Sequence, residues 1–222
     1  MRKANEVLVL IEGGSTDKSG EIASGYAESC LNAEIVFLTQ NGKGKFNAIL
    51  TALNHLLDPT QETYIVIWDS DYSIRFSDAQ KAADIVSEGG KFVFTERIGS
   101  YIEKGAMPLI NNFANRVIAT FASLVYRTPI VDALSGTKAF PITIFSDLNE
   151  SFLRFIENDT YGDLSYFLLA KRSNLKFEKF KVNYFARVYG VSGLNRFSNG
   201  LELLHNLFVS AKLLRRKNGG HN

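Results

Sequence analysis

Residues 64–71, YIVIWDSD, form an apolar run that stops abruptly at two aspartates one residue apart. The first five residues are β-branched or aromatic, which predicts a strand buried on both faces of a largely parallel sheet. Asp69 and Asp71 then fall at its C-terminal end, where open α/β sheets place their ligands. Two carboxylates in that crevice suit a hard divalent cation, Mg²⁺ or Mn²⁺, which takes carboxylate oxygen and fills its other positions with water and phosphate oxygens. The stretch therefore reads as a metal and diphosphate station.

Working outward, the same strand-then-loop grammar recurs. Residues 7–11 (VLVLI) run into EGGSTDKSGEIA, where Gly13 and Gly14 permit positive φ and Ser15, Thr16 or Asp17 can cap the following helix. Residues 34–38 (EIVFL) lead into NGKGKFNAIL, a second glycine-bearing loop in which Lys43 or Lys45 can reach a phosphate. Its spacing is not that of a P-loop. After Asp71 the pattern predicts a polar helix over 77–88 and a further strand over 91–95 (KFVFT). Four such alternations argue for a doubly wound α/β arrangement. Helical periodicity returns over 109–126, where a core-packed helix is the plainer reading. Residues 130–140 carry Asp132, a Ser135-Gly136 turn and Lys138; Asp163 opens a helix, and 176–184 alternates as a half-exposed strand. The last helix, 201–214, sets Leu204, Leu207, Phe208, Ala211 and Leu214 on one face and ends among Lys212, Arg215, Arg216 and Lys217. Such an end can cap the core or lie on an anionic membrane.

Composition narrows the classes. A formal charge of +2 over 222 residues gives no case for nucleic acid, and the single cysteine, Cys30, excludes an intramolecular disulfide and a thiolate zinc cluster. The apolar runs are too short for a signal-peptide core or a membrane span. A cytoplasmic location is expected, with peripheral contact to the inner membrane face through the C-terminal helix.

Five segments, in order, resemble family 2 glycosyltransferases of the GT-A fold, especially the polyprenyl-phosphate branch. VLVLIEGGSTDKSGEIA resembles the strand and loop written VVDDGSTDxT, NGKGKFNAIL the NxGKGxA loop, and WDSD the DxD signature. DALSGTKAF resembles DxxSGxRAF, and RVYGVSGLNRFSNGLELL resembles RxxGxSKLNxxxDGLxLL. The resemblance implies a Rossmann-like, mostly parallel sheet flanked by helices in a single domain over 1–198, with 199–222 as an amphipathic basic helix and tail. It implies a hexosyltransferase moving sugar, with inversion and metal assistance, from a nucleoside-diphosphate sugar to an acceptor such as polyprenyl phosphate.

Residue by residue, the resemblance puts Glu12, Asp17, Lys43 and Asp69 around the nucleotide and makes Asp71 a metal ligand with Asp69. Asp132, Lys138 and Asp163 face the acceptor, and Arg187 and Ser192 lie near phosphate. Asp163 or Asp132 is the candidate base for a hydroxyl acceptor; a lipid phosphate, already anionic, needs a base less and cations such as Arg187 more. Three departures stand out: Glu12-Gly13 replaces an acidic pair, Gly193 stands where a lysine is expected, and no counterpart of the family's first strand precedes residue 7. The expectation is thus an N-terminally short domain, with that strand truncated away, supplied by another segment or subunit, or missing at the expense of the site. The competing class is a catalytically impaired nucleotide-sugar-binding or scaffolding relative. A nucleotidyltransferase fits less well, because no arginine-bearing pyrophosphate loop accompanies GGSTD.

Overall fold

A computed structural model describes residues 6–31, 33–42, 44–56, 62–146, 162–187 and 196–218, together with Phe152, Phe155 and Asp159. They group into two compact units, Met1–Thr60 with Ile156–Gly162, and Gln61–Phe155 with Asp163–Asn222.

The first unit is a pair of strand–helix repeats: β1 (Val7–Glu12), α1 (Ser19–Ser29), β2 (Glu34–Thr39) and α2 (Lys45–Leu56). The strands pair in parallel, from Val7 opposite Glu34 to Glu12 opposite Thr39. Both loops that follow them therefore open at one end. The helices fill the crossovers that parallel pairing requires.

The second unit holds β3 (Tyr64–Ile67), α3 (Phe76–Ser87), β4 (Phe92–Glu96), α4 (Leu109–Tyr126), β5 (Lys138–Pro141), α5 (Asp163–Arg172), β6 (Phe177–Lys181) and α6 (Arg196–Asn218), with a 3-10 turn at Ile142–Phe145. Its sheet order is β3-β5-β4-β6. β5 runs antiparallel to β3 and β4, while β4 and β6 are parallel. Three strands thus point one way and β5 alone is reversed, in keeping with the expected mostly parallel sheet. β3 is half-buried and, among the described residues, an edge strand.

Aromatic rings hold this sheet to its helices. Phe92 and Phe94 of β4 meet Phe167 of α5 edge-on at 5.1 and 5.0 Å, and Phe140 of β5 stacks on Tyr166 at 5.1 Å. Phe92, Phe94, Phe140 and Phe167 are fully buried, so each removes a large apolar area from water. On the other side Ala82 and Val86 of α3 pack on Val93 and Ala139.

Two helices depart from expectation. α4 buries Asn115, Ile118, Ala119, Ala122 and Tyr126 and leaves a second apolar stripe in solvent: Leu109, Ile110, Phe113, Phe121 and Leu124, with Leu109 at 88% and Leu124 at 71% exposure. In α6 the core face is Leu203, Leu207, Ser210 and Leu213, whereas Leu204 and Phe208 are exposed. The apolar face expected there is therefore divided between core and solvent.

Candidate functional site

In the first unit the loop after β1 is built around its acids. Glu12 accepts a hydrogen bond from the Ser15 backbone N–H, and the backbone and side chain of Ser15 together hold its carboxyl below the usual range. Asp17 accepts a hydrogen bond from the Ser19 N–H at 2.9 Å just before α1, and the side chain and backbone of Ser19 together hold its carboxyl below the usual range. A side chain at Gly20 would sit 3.1 Å from the Glu12 Cγ, so glycine lets the Glu12 stem lie against α1. The loop after β2 closes beside it, with Gln40 N–H donating to the Glu12 carbonyl at 2.8 Å and the Gln40 amide donating to the Gly44 carbonyl at 2.8 Å. Lys43, expected in this loop, lies outside the described residues.

The second unit gathers most of the remaining candidates at one end of its sheet. β3, β4 and β6 all finish there, and reversed β5 begins there, with Lys138 opposite both Ile67 and Phe94. A reversed strand can thus deliver a residue to the rim from its first position.

Beyond β3 the chain folds back tightly. The Trp68 indole donates to the Ile74 carbonyl at 2.8 Å, and its ring meets Tyr72 and Phe76 edge-on. Tyr72 takes φ +61°, a left-handed conformation uncommon for a bulky residue and typical of constrained sites. The turn leaves Asp71 half-buried, with one oxygen accepting from the Ser73 N–H at 3.0 Å and hydroxyl at 2.6 Å. Its other oxygen is 3.0 Å from Arg187 Nε. Asp69 is likewise half-buried.

These two carboxylates fit Mg²⁺ or Mn²⁺ by donor chemistry. No group of three or more His, Cys, Asp or Glu able to hold a metal occurs among the described residues, so further positions would fall to hydroxyl, water or phosphate oxygen, the usual pattern for Mg²⁺.

Asp132 is fully buried as a side chain. It accepts from Arg97 Nε at 2.7 Å and Nη2 at 2.9 Å, from the Arg97 N–H at 2.9 Å, and from the Asn115 amide. Burial alone would raise its pKa, but the guanidinium and these hydrogen bonds outweigh it and hold the carboxyl below the usual range. Arg97 is raised in turn, Asp132 overcoming the opposing effect of burial. Lys138, 1% exposed, donates to Asp163 at 2.7 Å. Asp163 stands at the first position of α5, where the helix dipole also favours its negative charge.

Asp69, Asp71, Arg187, Asp132, Lys138 and Asp163 therefore belong to one unit, Glu12 and Asp17 to the other, and Ser192 lies outside the described residues. Arg97 and Asn115 were not singled out by sequence. Arg97 carried a signal: a charge directly after a buried strand, the feature that marked Asp69.

Comparison with known proteins gives two findings. The sequence model of the family described as "Glycosyl transferase family 2" matches residues 3–153. Glycosyltransferase AglJ of Haloferax volcanii is 30% identical over 141 residues, which cover 64% of this chain and 43% of that relative.

Proposed function

The chain belongs to glycosyl transferase family 2, with an α/β architecture consistent with the GT-A fold, and from that premise we propose that it transfers a sugar from a nucleoside-diphosphate donor to a polyprenyl phosphate, with inversion. The observation that carries this reading is the charge arrangement at the sheet end of the second unit. Asp69 and Asp71 follow β3, Asp71 faces the half-exposed Arg187, and the neighbouring acids Asp132 and Asp163 pair with Arg97 and Lys138.

The chemical demand is departure of a diphosphate as positive charge builds at the anomeric carbon. A bound divalent cation would supply Lewis-acid stabilisation of that leaving group. Asp71, held by Ser73, and Asp69 would present the oxygens for it. Arg187, 39% exposed as a side chain, is long and accessible enough to donate to a phosphate. Arg97 and Lys138 stand at the same rim, each paired with a carboxylate.

The acceptor class follows from the same pairs. A hydroxyl acceptor needs a general base, but Asp132 is committed to Arg97 and Asp163 to Lys138. A phosphate acceptor arrives as an anion and needs no such base. Asp132 is then a positioning residue that orients Arg97, and Asp163 does the same for Lys138.

A lipid-borne acceptor also accounts for the apolar surface. No helix of the described residues is long and apolar enough to cross a membrane. α4 nevertheless exposes five large apolar side chains and contains no acidic residue. α6 adds exposed Leu201, Leu204 and Phe208, with the Lys212 ammonium 4.3 Å over the Phe208 ring. Apolar surface rimmed by cations suits peripheral contact with an anionic lipid face.

The test is a donor screen with UDP- and GDP-sugars, Mn²⁺ and polyprenyl phosphate, read by chromatography of the lipid product. A metal-dependent glycosyl phospholipid is expected. Donor binding without any product would favour the non-catalytic nucleotide-sugar-binding relative instead.

A further inference from the structure

We propose that Arg187 serves as the resident cation of Asp71, giving up that carboxylate when a divalent ion binds and turning to the donor diphosphate. The proposal rests on the metal and diphosphate reading above and adds to it an order of events.

Asp71 has two oxygens with different duties. One is held by Ser73 through both its N–H and its hydroxyl, which fixes the carboxylate plane. The other contacts Arg187 Nε at 3.0 Å. The oxygen best placed to take a cation therefore already has one, and a divalent ion and Arg187 compete for it. Asp71 is also the better anchored partner, at 18% side-chain exposure against 39% for Arg187. When the pair opens, the guanidinium is the group that moves.

The backbone limits where it can go. The Phe185 N–H donates to the Ser73 carbonyl at 2.9 Å, the Ala186 N–H donates to Glu103 Oε2 at 2.7 Å, and the Arg75 guanidinium covers the Phe185 ring at 4.5 Å. Ser73 and Arg75 thus tie the segment leading to Arg187 to the loop that bears Asp71, and Glu103 anchors it from the loop after β4. A released guanidinium stays within a side chain's length of that carboxylate. It can then donate to a phosphate brought there by the metal, a charge-assisted contact of the kind arginine makes well.

The arrangement makes Arg187 oppose metal binding in the empty protein and support nucleotide binding in the loaded one. Mn²⁺ affinity without nucleotide, followed by the electron paramagnetic resonance of the free ion on the full chain, reads the first effect; calorimetry with UDP or GDP at saturating Mn²⁺ reads the second. Arg187→Met should bind Mn²⁺ about fivefold more tightly than wild type, the scale of a partly exposed ion pair, yet bind nucleotide about tenfold more weakly. Arg187→Lys, which keeps the charge, should stay near wild type in the first measurement. Unchanged or weaker Mn²⁺ binding by Arg187→Met, with binding lost in Asp71→Asn, would overturn the proposal and leave the metal site standing. Mn²⁺ binding unaffected by Asp71→Asn would remove the metal site and the proposal together.

Discussion

Asp132 keeps a charge where its side chain meets no solvent, and it can do so because Arg97 brings the opposite charge to the same place. Replacing Asp132 with Asn should cost about 3 kcal/mol or more, since it strands a buried guanidinium. The pH dependence follows from the depressed carboxyl. A group whose folded pKa lies below its ordinary 3.8 contributes stability above that value and loses it as pH falls through the lower, folded one. Urea melts of wild type and Asp132→Asn should therefore differ most at neutral pH and converge below about pH 4; a gap that widens in acid would contradict the pairing. Asp71 and Asp132 were both legible as acids beside structural breaks. That Arg97 and Arg187 pair with them was not, because the partners are brought in across the fold and local spacing carries no trace of such pairing.

At the level of elements, α4 was read to its limits, Leu109–Tyr126, because its apolar residues recur at helical spacing. Its C-cap, Arg127, sits in the left-handed region at φ 50° and ψ 48°, a place that favours glycine. Arg127→Gly should stabilise the protein by about 1 kcal/mol and raise Tm by about 2–4 °C; a lower Tm in calorimetry would show that the arginine side chain outweighs the backbone strain. β5 is the strand that sequence missed. Lys138–Pro141 has four residues, opens with a lysine and ends in proline, so it offers no alternation to read. It is a strand because β3 and β4 flank it, a tertiary cause. The outward stripe of α4 was legible as apolar residues but not as exposed ones, since periodicity does not say which face the core takes.

At the scale of the whole molecule, the alternation of strands and helices was enough to give the α/β class, and the resemblance of five short segments gave the family. The grouping into two units was not legible: it depends on which strands pair, with β1 joined to β2 and β3 to β5. The apolar stripe on α4 makes its own prediction at this scale. The protein should co-sediment with liposomes containing anionic lipid, and Phe113→Asn with Leu124→Asn should reduce the bound fraction severalfold, as loss of buried apolar area requires. Binding that survives both changes would assign the stripe another partner. The central claim, that the acids after β3 hold the cation which carries a nucleotide diphosphate, is tested most directly by calorimetric titration of UDP and GDP with Mn²⁺ into wild type and Asp71→Asn. The account predicts metal-dependent binding of one nucleotide by wild type and its loss in the variant; equal affinity in the two proteins would contradict it.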